Sequence, residues 1–133
     1  MKDGKVNFAY NYEEHKMFRI VSDKQLPEGD VTIQYAFKVT GNADLRNGKG
    51  APGTGILAVN GEKVGSVDMD VTVPFIFCIE GLSVGYDYGD VVDRENYKDS
   101  FPFTGTVKKV TYDVSGEAIH DAKAIARRLL GRQ

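Results

Sequence analysis

The chain has one cysteine, no tryptophan and two histidines in 133 residues. A lone Cys78 can close no internal disulfide and has no CxxC partner for zinc or thiol redox chemistry. Its place beside Phe77 and Ile79 fits a buried, inert thiol. Neither sign of charge dominates: 17 Lys and Arg stand against 19 Asp and Glu, a net charge of −2. That balance argues against nucleic acid as the main partner, because phosphate binding needs a clearly basic face. No apolar run approaches the ~20 residues of a membrane span. The opening Met1-Lys-Asp-Gly-Lys5 lacks the apolar core of a signal peptide. The sequence therefore reads as a cytoplasmic chain with no membrane partner.

What is present points to one β-rich domain. The 41% hydrophobic and 27% charged fractions are those of a globular protein rather than a disordered one, and the length allows a core without disulfides or a structural metal. Period-two alternation dominates. Val6, Phe8, Tyr10 and Tyr12 form one stripe with Asn7, Ala9 and Asn11 between them, which predicts a strand over 5–12. A second strand is expected over 17–22, joined through a turn at Glu13, Glu14, His15 and Lys16. After the turn around Pro27 and Gly29, Val31, Ile33, Tyr35, Phe37 and Val39 alternate with polar or small residues, and the polar face should meet water or line a groove. Segments 56–59 and 63–67 flank Asn60-Gly61, a dipeptide suited to the two positive-φ positions of a type I′ hairpin turn. A further strand is expected over 71–79, with Pro74 at an edge or strand start, and a last one over 106–114. From Gly116 the period becomes helical, with Ile119, Ala122, Ile125, Ala126 and Leu129 on one face and Ser115 as N-cap. That helix, over 116–133, is expected to pack on a sheet of this chain or of a second subunit.

Two stretches could hold a site. The Gly-rich connection over 41–55 contains Gly48-Lys-Gly50, but Ala43 stands where a phosphate-binding loop needs Gly, Gly50 where it needs Ser or Thr, and a strand follows instead of a helix. A surface loop is the better reading. Segment 81–97 is expected to be a short strand running into a loop dense in acids and tyrosines. Between residues 80 and 99 the acids Glu80, Asp87, Asp90, Asp93, Glu95 and Asp99 outnumber the bases Arg94 and Lys98. Carboxylates at Asp87, Asp90, Asp93 and Glu95 could ligate a hard cation, though their spacing is not that of an EF-hand, and a solvated acidic loop is the preferred reading; no metal or other cofactor is assigned. Tyr86 and Tyr88 flank Asp87, so on a strand they share a face. Rings beside a carboxylate suit a sugar-binding groove; the other reading is that the tyrosines cover a sheet edge. The candidate ligand-binding residues are Tyr86, Asp87, Tyr88, Asp93 and Tyr97, and no catalytic residue is assigned.

Seven features in register carry a family resemblance: Gly4-Lys-Val-Asn-Phe-Ala-Tyr-Asn-Tyr12, Leu26-Pro-Glu-Gly29, the Gly-rich loop, the Val59-to-Gly65 hairpin, Val73-Pro-Phe75, Val84-Gly-Tyr-Asp87 with Asp93 and Tyr97, and Phe103-Thr-Gly-Thr-Val-Lys-Lys-Val110. Together they resemble the C-terminal, non-catalytic module of long bacterial arylsulfatases, and only the second part of it. The resemblance implies a concanavalin-like or jelly-roll-like antiparallel β-sandwich over 1–115, of about six to eight strands. It does not carry sulfatase activity across. That chemistry needs Cys or Ser followed by x-Pro-Ser-Arg, whereas Cys78 precedes Ile79-Glu80-Gly81, and His15 and His120 are isolated. The family's module begins with strands that have no counterpart before Met1, and has no counterpart of the helix after Ser115.

A sandwich lacking its early strands would leave apolar sheet surface and an open edge, so a homodimer is expected. The functional expectation is a non-catalytic module binding a carbohydrate or another small polar ligand. The alternative is a structural or self-association domain without one.

Overall fold

The computed structural model describes residues 1–74, 81–99 and 101–115. The described part is mainly β and contains two antiparallel sheets. Strands β1 (Asn7–Tyr12) and β2 (Lys16–Val21) form a hairpin; β3 (Ile33–Val39), β4 (Gly53–Val59) and β5 (Glu62–Met69) form a three-stranded meander in that order.

The hairpins follow from local chemistry. Between β1 and β2, Glu13 and Glu14 both take positive φ, at 49° and 60°. Such a conformation is unusual for glutamate, and the Asn11 carboxamide oxygen supports it by accepting from the Glu14 amide at 2.7 Å. Between β4 and β5, Asn60 and Gly61 take φ of 51° and 82°, the expected mirror-image turn. The Asn60 side chain also accepts from Thr32 N–H at 2.9 Å, tying the turn to the chain entering β3.

Alternation decides which way the first hairpin faces. In β1, Phe8, Tyr10 and Tyr12 point to the core, and in β2 so do Phe18 and Ile20. Val6, Ile20 and Leu57 make one buried cluster; Phe18, Met69 and Val71 make another, so both join the hairpin to the meander. Phe8 stacks on Tyr35 of β3, ring centroids 4.0 Å apart. At Gly65 β5 passes close to β2: a Cβ there would run straight into Ile20 Cγ2. The opposite face of the hairpin carries Asn7, Ala9, Asn11, Met17, Arg19 and Val21, and it supports the segments that follow residue 81.

Three expectations need correction. Strand β4 begins at Gly53, earlier than expected, because Tyr35 and Phe37 of β3 lay their rings over Gly55 and Gly53 and occupy the space a Cβ would need. Alternation in 106–114 produces no strand: residues 101–115 form no ladder and are exposed throughout. Period-two patterning makes a segment fit for a sheet, but a strand exists only where a partner supplies its backbone hydrogen bonds. Segment 81–97 is likewise turns and loop, interrupted by positive φ at Gly85 and Gly89, so Tyr86 and Tyr88 do not share a strand face. The described residues thus hold five strands, fewer than the six to eight expected. The remainder of the expected strand over 71–79, including Cys78, and the expected helix over 116–133 lie outside the described residues. No helix among the described residues is long and apolar enough to cross a membrane.

Candidate functional site

The loop after residue 81 is fastened to the polar face of the β1–β2 hairpin by side chains rather than by a ladder. Arg19 extends from β2, opposite Ala9, and grips Asp93 with two parallel bonds of 2.8 Å, from Nε to Oδ2 and from Nη2 to Oδ1. The same Nη2 donates to Glu95 at 2.7 Å. Asn96 Nδ2 donates to Asp93 Oδ2 at 2.7 Å, and the amides of Asn96 and Tyr97 donate to the Asp93 carbonyl at 3.0 and 3.2 Å. Asp93 is 4% exposed, so its charge requires this set of partners. The Arg19 guanidinium foremost, then the Asn96 amide, hold its carboxyl down at about 2 despite the opposing effect of burial. Reciprocally, the Asp93 hydrogen bonds raise the Arg19 pKa.

Further ties pin the loop along its length. Asn11 Nδ2 donates to the Val92 carbonyl at 3.1 Å, and Lys2 Nζ to the Asn96 carbonyl at 2.9 Å. Arg94 bridges Glu14 at 2.9 Å and Asp90 at 3.2 Å. Inside the loop, Tyr97 donates a short hydrogen bond to Asp87 Oδ2, which also accepts from Val92 N–H at 3.2 Å. Burial, and then the negative Asp87 beside it, push the Tyr97 hydroxyl up to about 12. Phe101 leans on Tyr97 at 5.1 Å between centroids, and Phe103 N–H closes back on the Gly85 carbonyl at 2.7 Å.

Between the loop and the hairpin lies a cavity of about 570 Å³. Its wall is aromatic on one part, with Phe8, Tyr86, Tyr97, Phe101 and Phe103, and polar on another, with Asn7, Arg19, Asp87, Asp93 and Asn96. No family model, curated protein or solved structure matches the chain. The site must therefore be read from its own chemistry.

Of the five residues singled out in the sequence, Tyr86, Asp87, Asp93 and Tyr97 line the cavity together. Tyr88 does not: it stands outside, 61% exposed, with its ring edge-on to Tyr86 at 6.2 Å. The acids considered for a hard cation are engaged by protein donors instead, Asp93 and Glu95 by Arg19, Asp90 by Arg94 and Asp87 by Tyr97. Among the described residues no group of three or more His, Cys, Asp or Glu is placed to hold a metal ion. Sequence reasoning missed Arg19, Asn7 and the wall residues Phe8, Phe101 and Phe103. The one available signal was Arg19 itself, a cation between Phe18 and Ile20.

Proposed function

We propose that this chain is a non-catalytic module, resembling the accessory domain of arylsulfatases, whose cavity binds a carbohydrate or a similar small polar ligand. A β-sandwich of concanavalin type is the finer fold that goes with this reading. The observation that carries it is the pairing, around one 570 Å³ space, of aromatic faces with hydrogen-bonding groups. Ligand pockets usually measure about 300–1,000 Å³ and combine apolar walls with a few placed polar groups. Rings such as Tyr86 and Phe103 suit the C–H face of a sugar. Asp87 keeps Oδ1, and Arg19 keeps Nη1, without a hydrogen-bond partner among the described residues, and both side chains line the cavity. A binding role is favoured over a chemical one because the buried Asp93 carboxylate is held by Arg19 and Asn96, and among the described residues no catalytic constellation of nucleophile, base and orienting group is recognised beside Asp87.

A thermal-shift screen of neutral mono- and disaccharides and other small polyols, followed by a glycan array, tests the reading. At least one compound should raise the melting temperature in a concentration-dependent way. Tyr86→Ala and Asp87→Asn should abolish that rise, while Tyr88→Ala should leave most of it. No response from any sugar or polyol would overturn the proposal.

A second reading, a self-association domain with no small-molecule ligand, is favoured by a separate observation. Strand β3 borders its sheet, and its outer edge pairs with no strand among the described residues.

A further inference from the structure

The charges on the cavity wall do not cancel evenly. Among the described residues, Lys2, Arg19, Asp87 and Asp93 line it. Arg19 is matched twice over, by Asp93 at 2.8 Å and by Glu95 at 2.7 Å, and Lys2 Nζ donates to the Asn96 carbonyl at 2.9 Å. Asp87 differs. Its partners among the described residues, the Tyr97 hydroxyl and the Val92 N–H, are both uncharged, and both bond to Oδ2. A half-buried carboxylate without a counter-ion makes a region of negative potential. Tyr97 registers it, since Asp87 adds to burial in pushing that hydroxyl up to about 12.

The loop gathers rings around the same carboxylate. Tyr86 precedes it in the chain, Tyr97 donates to it and leans on Phe101 with centroids 5.1 Å apart, and Phe103 N–H bonds to the Gly85 carbonyl at 2.7 Å. Tyr86, Phe101 and Phe103 line the cavity and remain 48%, 40% and 38% exposed, so their rings have surface left for a ligand. Aromatic faces attract a cation that comes within about 6 Å of the ring centroid. The carboxylate and the rings therefore favour the same thing, a positive charge.

We propose that the cavity selects a sugar carrying a protonated amino group, with the ammonium held by Asp87 Oδ1 and the neighbouring rings. Its hydroxyls meet Arg19 Nη1 and Asn7 Oδ1, which have no partner among the described residues. This assignment rests on the carbohydrate reading above and adds a charge to it. A neutral sugar can donate a hydroxyl to Asp87 but gains nothing from the charge of the carboxylate or from the ring faces. An acidic sugar meets Asp87 as a like charge, and finds Arg19 already matched by two carboxylates.

Isothermal titration calorimetry on the full chain tests this without any variant. The probes are glucosamine and galactosamine, their parent hexoses, their N-acetyl forms and glucuronate. In a buffer that keeps the amine protonated, at least one of the two amino sugars should bind about tenfold more tightly than its parent hexose and its N-acetyl form. Glucuronate should bind most weakly. The advantage should fade as the amine loses its proton at alkaline pH, and shrink in high salt. Asp87→Asn should leave the amino sugar no tighter than the hexose. Lys2→Gln, which removes a positive charge from the wall, should widen the native preference about threefold. Hexoses or glucuronate that bind as tightly as the amino sugars overturn the proposal and spare the carbohydrate reading. So does a preference that survives Asp87→Asn or ignores the protonation of the amine. If neither amino sugar binds, the proposal falls; if no sugar or polyol of the wider screen binds either, the carbohydrate reading falls with it.

Discussion

The five-stranded scaffold and the segment over 81–115 are held in place by different physics. In the scaffold, neighbouring strands are close in sequence, ladders satisfy the backbone, and Val6, Ile20, Leu57, Phe18, Met69 and Val71 bury apolar surface between the sheets. The later segment has no ladder; Arg19 to Asp93, Asn11 to Val92, Lys2 to Asn96, Arg94 to Glu14 and Lys108 to Asp30 fasten it to the scaffold. Burial is non-directional and tolerant, whereas a polar clamp is directional and fails when one partner is lost. The cavity therefore has one wall of each kind, and its shape depends on a few named bonds.

Substitutions should separate the two. Leu57→Ala, at a 2% exposed position between the hairpin and the meander, should cost about 3 kcal/mol and lower the melting temperature of the whole chain, as measured by denaturant unfolding. Arg19→Ala should cost less, about 2 kcal/mol, by leaving the buried Asp93 carboxylate with only Asn96 and the Glu95 backbone amide; the partial exposure of Arg19 moderates the loss. Acid should act on the same clamp. The Asp93 carboxyl titrates near 2 in the folded chain and near 4 when unfolded, so its contribution is complete above pH 4 and is lost as pH falls through 2. After allowance for solvent screening this amounts to about 1 kcal/mol, and unfolding followed across that window should show the slope in the native chain and a flatter one in Arg19→Ala. The smallest effect belongs to Lys108→Ala. Its pair with Asp30 is exposed on both sides, and the change in stability should stay within about 0.5 kcal/mol.

The same contrast governs what could be read from the sequence. Alternation located β1, β2 and β3, and Asn60-Gly61 located the β4–β5 turn, because these signals are local and their partners are near in the chain. The start of β4 was hidden by Gly53 and Gly55, poor strand formers by themselves, which are there because aromatic rings from β3 cover them. Segment 106–114 has a strand-like composition and is not a strand, since no edge among the described residues meets it. Composition marked Tyr86, Asp87, Asp93 and Tyr97 as a group. It could not mark Arg19, whose partner lies 74 residues away, nor place Tyr88 outside the cavity, because both depend on how the loop folds back on the hairpin.

Hydrogen exchange on Arg19→Ala tests most directly whether the clamp, and not the sheet, builds the site. Loss of the guanidinium should speed exchange at Val92, Asn96, Tyr97 and Phe103, whose amides bond within the loop, while the β3, β4 and β5 amides that bond across strands keep their native protection. Protection that fell equally in both regions, or in neither, would contradict a separately fastened site on a self-sufficient scaffold.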